Sequence, residues 1–374
     1  MEEGKISDER SPIMGEITTT TVAVKVDDYS SSSTKPLDFA RILKSLLVFS
    51  TLGIAFLVLY YSSSDKNGQF VPSLGRLSSS FYGDDNYAVV KDEYYELRKV
   101  LEAASTKEKT VILTTLNDAW AEPNSIFDLF LESFRNGNNT AYLLNHLVVV
   151  AVDEKAYFRC HELGRLHCYY LKTNESSTMA HEARFMTPIY LDMMWGRLAF
   201  LRTILSLGYN FVFTDTDVMW FRDPFPHFTL DSDFQTSCDH FNGNEFNISN
   251  APNNGFVFVR SNNRTIKFYD FWVSSRHTYP RLHEQDVFNK IKSGDFVKQL
   301  GVKLRFMDTT YFGGFCERSR DFNKVCTMHA NCCIGLDNKI ADLNTILKVW
   351  KNYLSNNHTT RQPANWRVPH KCHM

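Results

Sequence analysis

An apolar run, Phe211-Val212-Phe213-Thr214, stops at two acids, Asp215-Thr216-Asp217, and follows directly on the best helical pattern in the chain. In that pattern Leu191, Met194, Leu198, Leu201 and Leu205 form one apolar stripe. Thr187 can cap the helix, Pro188 fits its first turn, and Gly208 can close it in a left-handed conformation. Two similar runs come earlier: Val111–Leu116, leading into Asn117-Asp118, and Leu147–Val152, leading into Asp153. Helical spacing over Ser125–Arg135 lies between them. Strand, helix, strand is the pattern of a parallel sheet with crossover helices. Strands apolar on both sides need cover on both faces. These residues predict an α/β fold.

The acids sit where such folds bind ligands, beyond the carboxyl end of a strand. Side chains two residues apart on a strand project to the same side, so Asp215 and Asp217 are expected to converge. Without a cation two such carboxylates repel each other. With one they suit a hard ion, Mn2+ or Mg2+, that shares oxygen ligands with substrate phosphates. Asp-x-Asp is a common tripeptide, and a plain capping pair is the alternative. A haloacid-dehalogenase-type phosphatase also carries Asp-x-Asp after an apolar strand, with the first Asp as a covalent nucleophile. That reading needs the motif on the first strand, whereas here two strands precede it.

The net charge is −1 over 374 residues, so the chain lacks a basic footprint and no nucleic-acid partner is expected. Ser45–Tyr61 carries no charge, with Arg41 and Lys44 before it and Asp65 and Lys66 after it. It is near the short limit for a membrane-spanning helix, about 17–25 residues. The basic pair places the preceding residues in the cytosol. A buried core helix is the alternative. The expected organisation is a disordered cytosolic tail over 1–44, a signal anchor at 45–61, a lumenal stem over 62–106 and the ordered domain over 107–374, with a helix around Lys91–Ala104. Five sequons, at Asn138, Asn174, Asn247, Asn263 and Asn357, lie beyond the anchor, as do all eight cysteines. An even count in an oxidising compartment predicts disulfides, with the adjacent Cys332 and Cys333 paired to different partners. His370, Cys372 and His373 read as a solvated tail rather than a metal site.

Several stretches in order carry a family likeness: Thr114-Thr115-Leu116-Asn117-Asp118-Ala119-Trp120, Met193-Met194-Trp195-Gly196-Arg197, Phe213–Arg222, Phe234–His240, Asn253-Asn254-Gly255-Phe256, His283-Glu284-Gln285-Asp286 and Met328–Cys333. On these the chain resembles plant nucleotide-diphospho-sugar transferases of glycosyltransferase family 77. The resemblance covers about residues 110–350 and implies a GT-A-type fold, a mixed, mainly parallel sheet flanked by helices. It also implies a single-pass type II anchor in the Golgi membrane, a UDP-sugar donor with pentoses such as xylose or arabinose favoured, a glycan or glycoprotein acceptor, Mn2+ or Mg2+, and a retaining mechanism.

The resemblance also implies roles for residues. Asp215 and Asp217 would contact ribose, metal and diphosphate, with His329 as third protein ligand; a hydrogen-bonded core histidine is the alternative. Lys339 would steady the leaving diphosphate, or else be solvated. Arg197 would look towards the donor, or be an ordinary surface arginine. Thr114, Thr115 and Asn117 would contact uracil and ribose, or cap the strand end. Asn253-Asn254-Gly255 precedes an apolar strand, Phe256–Val259, and there Asn254 and Gly255 would serve the donor sugar, the glycine by close backbone approach; a plain turn is the alternative. Glu284 and Gln285 would touch the sugar and Asp286 would position it, although the family places Asp where this chain has Glu284. A catalytically silent membrane-anchored scaffold is the rival of a different kind.

Overall fold

The computed structural model of the chain describes residues 94–172, 186–355 and 366–372. The tail, the apolar run Ser45–Tyr61, most of the expected stem, and the sequons at Asn174 and Asn357 lie outside the described residues. Among the described residues no helix is long and apolar enough to cross a membrane.

Along the chain the elements are α1 (Tyr95–Ala104), β1 (Thr110–Leu116), α2 (Asp118–Ala121), α3 (Ile126–Asn136), β2 (Leu147–Ala151), α4 (Glu154–Glu162), β3 (His167–Tyr170), α5 (Pro188–Ser206), β4 (Asn210–Thr214) and β5 (Val218–Trp220). Then come β6 (Phe234–His240), β7 (Ala251–Val259), α6 (Asn263–Ser274), α7 (Glu284–Ile291), α8 (Asp295–Leu300), β8 (Leu304–Phe306), β9 (Phe312–Gly314), β10 (Thr327–His329) and α9 (Leu336–Ser355). The large sheet has the order β3-β2-β1-β4-β7-β6-β8, and a small one has the order β5-β10-β9. In the large sheet every strand runs parallel to the others except β7, which is antiparallel to both its neighbours. The carboxyl ends of β1, β2, β3, β4 and β6 and the amino end of β7 therefore share one edge.

Both faces of the large sheet are covered, which is why its strands are apolar throughout. Ile112, Val149, Val212 and Phe258 face a cluster that includes Phe130, Phe134, Trp220 and Trp350. Val111, Val148, Phe211 and Val257 face the other cluster, with Leu198, Leu201, Phe268 and Trp272. Trp220 stacks on Phe134 at 4.5 Å between ring centroids, and its N–H groups bond the Ser133 and Thr214 hydroxyls. Truncating so enclosed a ring costs about 3–5 kcal/mol.

α5 follows its sequence signals closely. The Thr187 hydroxyl accepts the Tyr190 N–H at 3.3 Å, Pro188 opens the helix, and Gly208 beyond it has φ +86°. The predicted stripe is buried, and so are Trp195, Phe200 and Ile204, because the helix packs between the sheet and α6. α1 buries Leu97, Leu101 and Ala104 in the same cluster.

Two expectations about the sheet edge do not hold. Asp215 and Asp217 are not on a strand: β4 ends at Thr214, β5 begins at Val218, and the acids form the turn between, closed by Val218 N–H to Asp215 O at 3.2 Å. Asn253-Asn254-Gly255 does not precede its strand but lies inside β7. There Thr236 faces Val257 while the next residue, Ser237, faces Asn253, so Asn254, Gly255 and Phe256 are left without partners on β6. A bulge of this kind re-aims side chains at a sheet margin.

Six of the eight cysteines form disulfides, Cys160–Cys168, Cys316–Cys332 and Cys333–Cys372, so the adjacent pair does go to different partners. Cys238 and Cys326 are free and buried. The solvated-tail reading holds for the exposed His370 side chain but fails for Cys372, while His373 lies outside the described residues. Cys372 is buried, and the Asp342 carboxylate on α9 accepts the N–H groups of His370, Lys371 and Cys372. Among the described sequons, Asn138, Asn247 and Asn263 are all exposed, but Thr140 and Thr265 have buried hydroxyls engaged with backbone. Only around Asn247 are all three sequon residues on the surface.

Candidate functional site

The turn Asp215-Thr216-Asp217 projects from the shared edge, and the topology brings a third ligand to it. β5 starts at the residue after Asp217, and β10 pairs antiparallel with β5 so that His329 faces Val218. Ala330 N–H then bonds Asp217 O at 3.0 Å. The His329 Nε2 lies 3.1 Å from Asp217 Oδ1 and 3.9 Å from Asp215 Oδ2. One ligand atom from each of the three residues falls within 4.8 Å of the others.

Gly255 makes the approach possible. Its O accepts the Asp215 N–H at 2.7 Å. A Cβ on Gly255 would stand 2.5 Å from Asp215 Oδ2 and 2.5 Å from His329 Cε1, so any side chain there would displace both ligands.

The charges show what the cluster wants. Burial alone would raise the Asp217 carboxyl, but Lys339 and His329 outweigh it and hold the group well below the usual carboxylate range. Lys339, from the first turn of α9, sits 2.6 Å from Asp217 Oδ2 and over the Trp120 ring. Asp215 is raised, since burial and the neighbouring Asp217 charge prevail over Arg197. Burial lowers His329, but Asp217 lifts it above its ordinary value. Positive charge is thus drawn to one point.

The donor set fits a divalent cation. Two carboxylates suit a hard ion such as Mn2+ or Mg2+, and the imidazole, a softer ligand, favours Mn2+ of the two. Asp217 Oδ1 and His329 Nδ1 are buried without hydrogen-bond partners, as are Thr216 Oγ1 and Asn254 Nδ2. Asp217 Oδ1 and His329 Nε2 are close without the alignment of a hydrogen bond, as expected for two atoms that face a common third body.

Arg197 is neither on the surface nor open to a ligand. Its Nη1 bonds Asp215 Oδ1 at 2.9 Å, its Nη2 bonds Glu284 Oε1 at 2.7 Å, and its guanidinium lies 4.7 Å from the Phe213 ring centroid. Burial opposes the charge on Arg197, but the two carboxylates raise it further. The extra methylene of Glu284 reaches Arg197 and the His283 ring, and these charges overcome burial to lower its carboxyl. Gln285 Oε1 accepts the Asn254 N–H at 2.9 Å. Asp286 is half exposed and 3.5 Å from His283 Nε2.

On the far side of the edge, Thr115 shares a small cavity with Val152, Leu171, Met193 and Arg197. Thr114 is fully buried with its hydroxyl unpartnered. The Asn117 side-chain oxygen caps α2 through Trp120 N–H at 3.2 Å, the capping alternative. Four residues at the site escaped sequence reasoning. Tyr190 packs against the His283 ring, Trp120 lies under Lys339, and Asp239 and Asn331 bond each other. Trp120, Asp239 and Asn331 fall in stretches that carried the family likeness, the one signal that could have found them.

The model of the nucleotide-diphospho-sugar transferase family matches residues 142–343, more than half the chain and all of the Asp215–Asp217–His329 cluster. The chain belongs to that family. This nucleotide-diphospho-sugar transferase is 49% identical over 304 residues to an uncharacterized protein of Arabidopsis thaliana, with 80% of each chain covered. A second uncharacterized Arabidopsis thaliana protein is 40% identical over 274 residues, covering 72% of this chain and 80% of that one. A UDP-galactose:fucoside alpha-3-galactosyltransferase of Dictyostelium discoideum is 40% identical over 159 residues, covering 35% of this transferase and 24% of its own length. The mixed, mainly parallel sheet of the transferase is GT-A-like in strand arrangement.

Proposed function

We propose that the protein is a retaining, UDP-sugar-dependent glycosyltransferase of the family 77 kind, anchored as a single-pass type II protein in the Golgi membrane through Ser45–Tyr61, with its catalytic domain in the lumen. The observation that carries the enzymatic reading is the Asp215–Asp217–His329 cluster at the sheet edge, with Asp217 Oδ1 buried and unpartnered and Lys339 as its counter-charge. Asp215, Asp217 and His329 would hold Mn2+ or Mg2+. When bound, the cation draws charge from the departing diphosphate.

The chain's own side chains do the rest. Lys339 turns from Asp217 to the diphosphate as a point charge. The Asn254 amide nitrogen, buried and unpartnered, donates to a sugar hydroxyl. Gln285 fixes the Asn254 backbone from beside the sugar. Glu284 acts through Arg197, which bonds both carboxylates and so keeps Asp215 aimed at the cation. Asp286 steadies His283 at the helix start. Thr115, at the small cavity beside Arg197, would contact the nucleotide.

The relatives with named activities differ in the sugar that their names give. One is the UDP-galactose enzyme above, and another is a beta-arabinofuranosyltransferase of Arabidopsis thaliana, 25% identical over 207 residues. A pentose is our preferred donor, with a cell-wall polysaccharide or glycoprotein as acceptor. The test is UDP release by the lumenal fragment for each UDP-sugar with added Mn2+. A donor-specific, EDTA-sensitive release is expected. No release with any UDP-sugar, alongside phosphomonoester hydrolysis, would overturn the reading.

A further inference from the structure

The strand β6 ends on a second irregularity. Cys238 faces Pro252 and His240 faces Ala251, which leaves Asp239 as an extra residue on β6. The bulge turns the Asp239 side chain inwards, across the sheet edge. There its Oδ1 accepts two amides, Asn253 Nδ2 at 2.7 Å and Asn331 Nδ2 at 2.7 Å. Cys316 Sγ also lies 3.4 Å away, a packing contact rather than a hydrogen bond because the sulfur is spent in the disulfide to Cys332.

Each asparagine passes the constraint on towards a metal ligand. Asn253 Oδ1 accepts the Gly255 N–H at 2.9 Å, and Gly255 O in turn accepts the Asp215 N–H at 2.7 Å. Asn331 stands two residues after His329 and is followed by Cys332, whose φ is +52°. Its Oδ1 accepts the Cys316 N–H at 3.2 Å. Asn331 can lie so close only because residue 314 is glycine: a Cβ there would be 2.3 Å from Asn331 Oδ1. Two glycines without room for a side chain, two buried asparagines and one disulfide therefore converge on a single carboxylate oxygen.

We propose that Asp239 is a positioning residue that sets the separation of Asp215 from His329. It touches neither ligand. It ties β6, β7 and the segment after β10 together, and those are the segments that carry or flank the two ligands from opposite sides. This rests on the reading of Asp215, Asp217 and His329 as a metal site. A charged acceptor matters because one oxygen serves two donors, and hydrogen bonds to an ionised acceptor are about twice as strong as neutral ones.

Mn2+ binding to the nucleotide-free protein, followed by calorimetry or by the Mn2+ paramagnetic signal, tests the proposal without recourse to turnover. Wild-type protein should bind. Asp239→Ala should bind about tenfold more weakly, the low end of what outer residues of a metal site contribute, and should lose kcat with little change in acceptor KM. Should Asp239→Ala fail to fold, Asn331→Asp, which sets two carboxylates face to face, should show the same loss. Asp239→Asn together with Asn331→Asp restores a donor–acceptor pair and should recover most of the affinity. Wild-type affinity in Asp239→Ala or Asn331→Asp, or no recovery in the double variant, overturns the positioning role and leaves the metal site standing. Absence of Mn2+ binding by the wild type overturns both.

Discussion

The two halves of the large sheet treat polar groups differently. In the parallel half, the acceptors at the strand ends cap the helices that follow, while Thr114 keeps a buried hydroxyl without a partner. Asn117 caps α2, and Asp153 accepts the N–H groups of Asp118 and Ala156. In the half where β7 runs against its neighbours, polar side chains join distant segments or remain without partners. Asp239, Asn253, Asn331 and Gln285 form a network across the edge, while Asn254 Nδ2 is buried and unpaired. The acids of the turn after β4 lie at the seam between the two. A locally satisfied group strengthens one element, whereas a shared or orphaned one commits several elements to a common geometry. The lesson is that one half supplies the platform and the other supplies the precision.

The largest effect expected from this contrast is at the seam. Arg197→Met would strand the buried Glu284 and part-buried Asp215 carboxylates and cost about 3–5 kcal/mol of stability, read by denaturant unfolding of the ligand-free protein. Arg197→Lys should recover only part, because an ammonium cannot span both acids as the guanidinium fork does. A loss below about 1 kcal/mol in Arg197→Met, the range of exposed pairs, would mean that the seam is not held electrostatically.

Asp217→Asn keeps the shape of the turn and removes one charge. Turnover should fall at least about a hundredfold, and the thermal shift given by Mn2+ plus UDP should vanish. Because Asp217 is buried against Lys339, some loss of ligand-free stability should accompany it. Wild-type turnover by this variant in EDTA-treated buffer would sink the metal assignment.

Gly255→Ala probes the antiparallel half directly. The added Cβ meets Asp215 Oδ2 and His329 Cε1, so about 1–3 kcal/mol of strain is expected. Mn2+ affinity measured by calorimetry should drop with it. The counterpart in the parallel half is Asn117→Ala. It should cost about 1 kcal/mol, as for other helix caps, and leave Mn2+ affinity at the wild-type value. Equal effects on Mn2+ binding from the two variants would erase the distinction between the halves.

The smallest expected signal is chemical. Burial pushes the Cys238 and Cys326 thiols up to about 12. Neither should react with iodoacetamide at pH 8 until the protein is unfolded, when two thiols per chain should label, as counted by mass spectrometry.

The parallel half was the legible one. β1, β2 and β4 announce themselves as apolar runs, and Thr187 and Pro188 mark the start of α5, because their causes are local. The acids were legible as a pair but not as a turn, since the turn is closed by the Val218 N–H to Asp215 O bond and no glycine or proline marks it. Asn253-Asn254-Gly255 has the composition of a turn, and only the match of Phe256 to β4 and of Asn253 to β6 makes it strand. Arg197 and Glu284 are 87 residues apart, and no periodicity connects them. Asp239 looks like any acid at a strand end until its two asparagines are in place.

Those separations bear on how the molecule comes into being. Lys339 and Asp217 stand 122 residues apart, and Asn331 and Asp239 stand 92 apart. Chains dominated by such distant pairings fold slowly, because loop closure precedes any return in contact energy. The cluster has no partial form: until β10 has docked on β5, Asp215 and Asp217 face each other without His329 or Lys339. Cation capture is therefore one of the last events open to the nascent domain. A molecule that held a cation at this cluster would also have completed its long-range wiring, so metal retention would serve as a readout of conformational maturity.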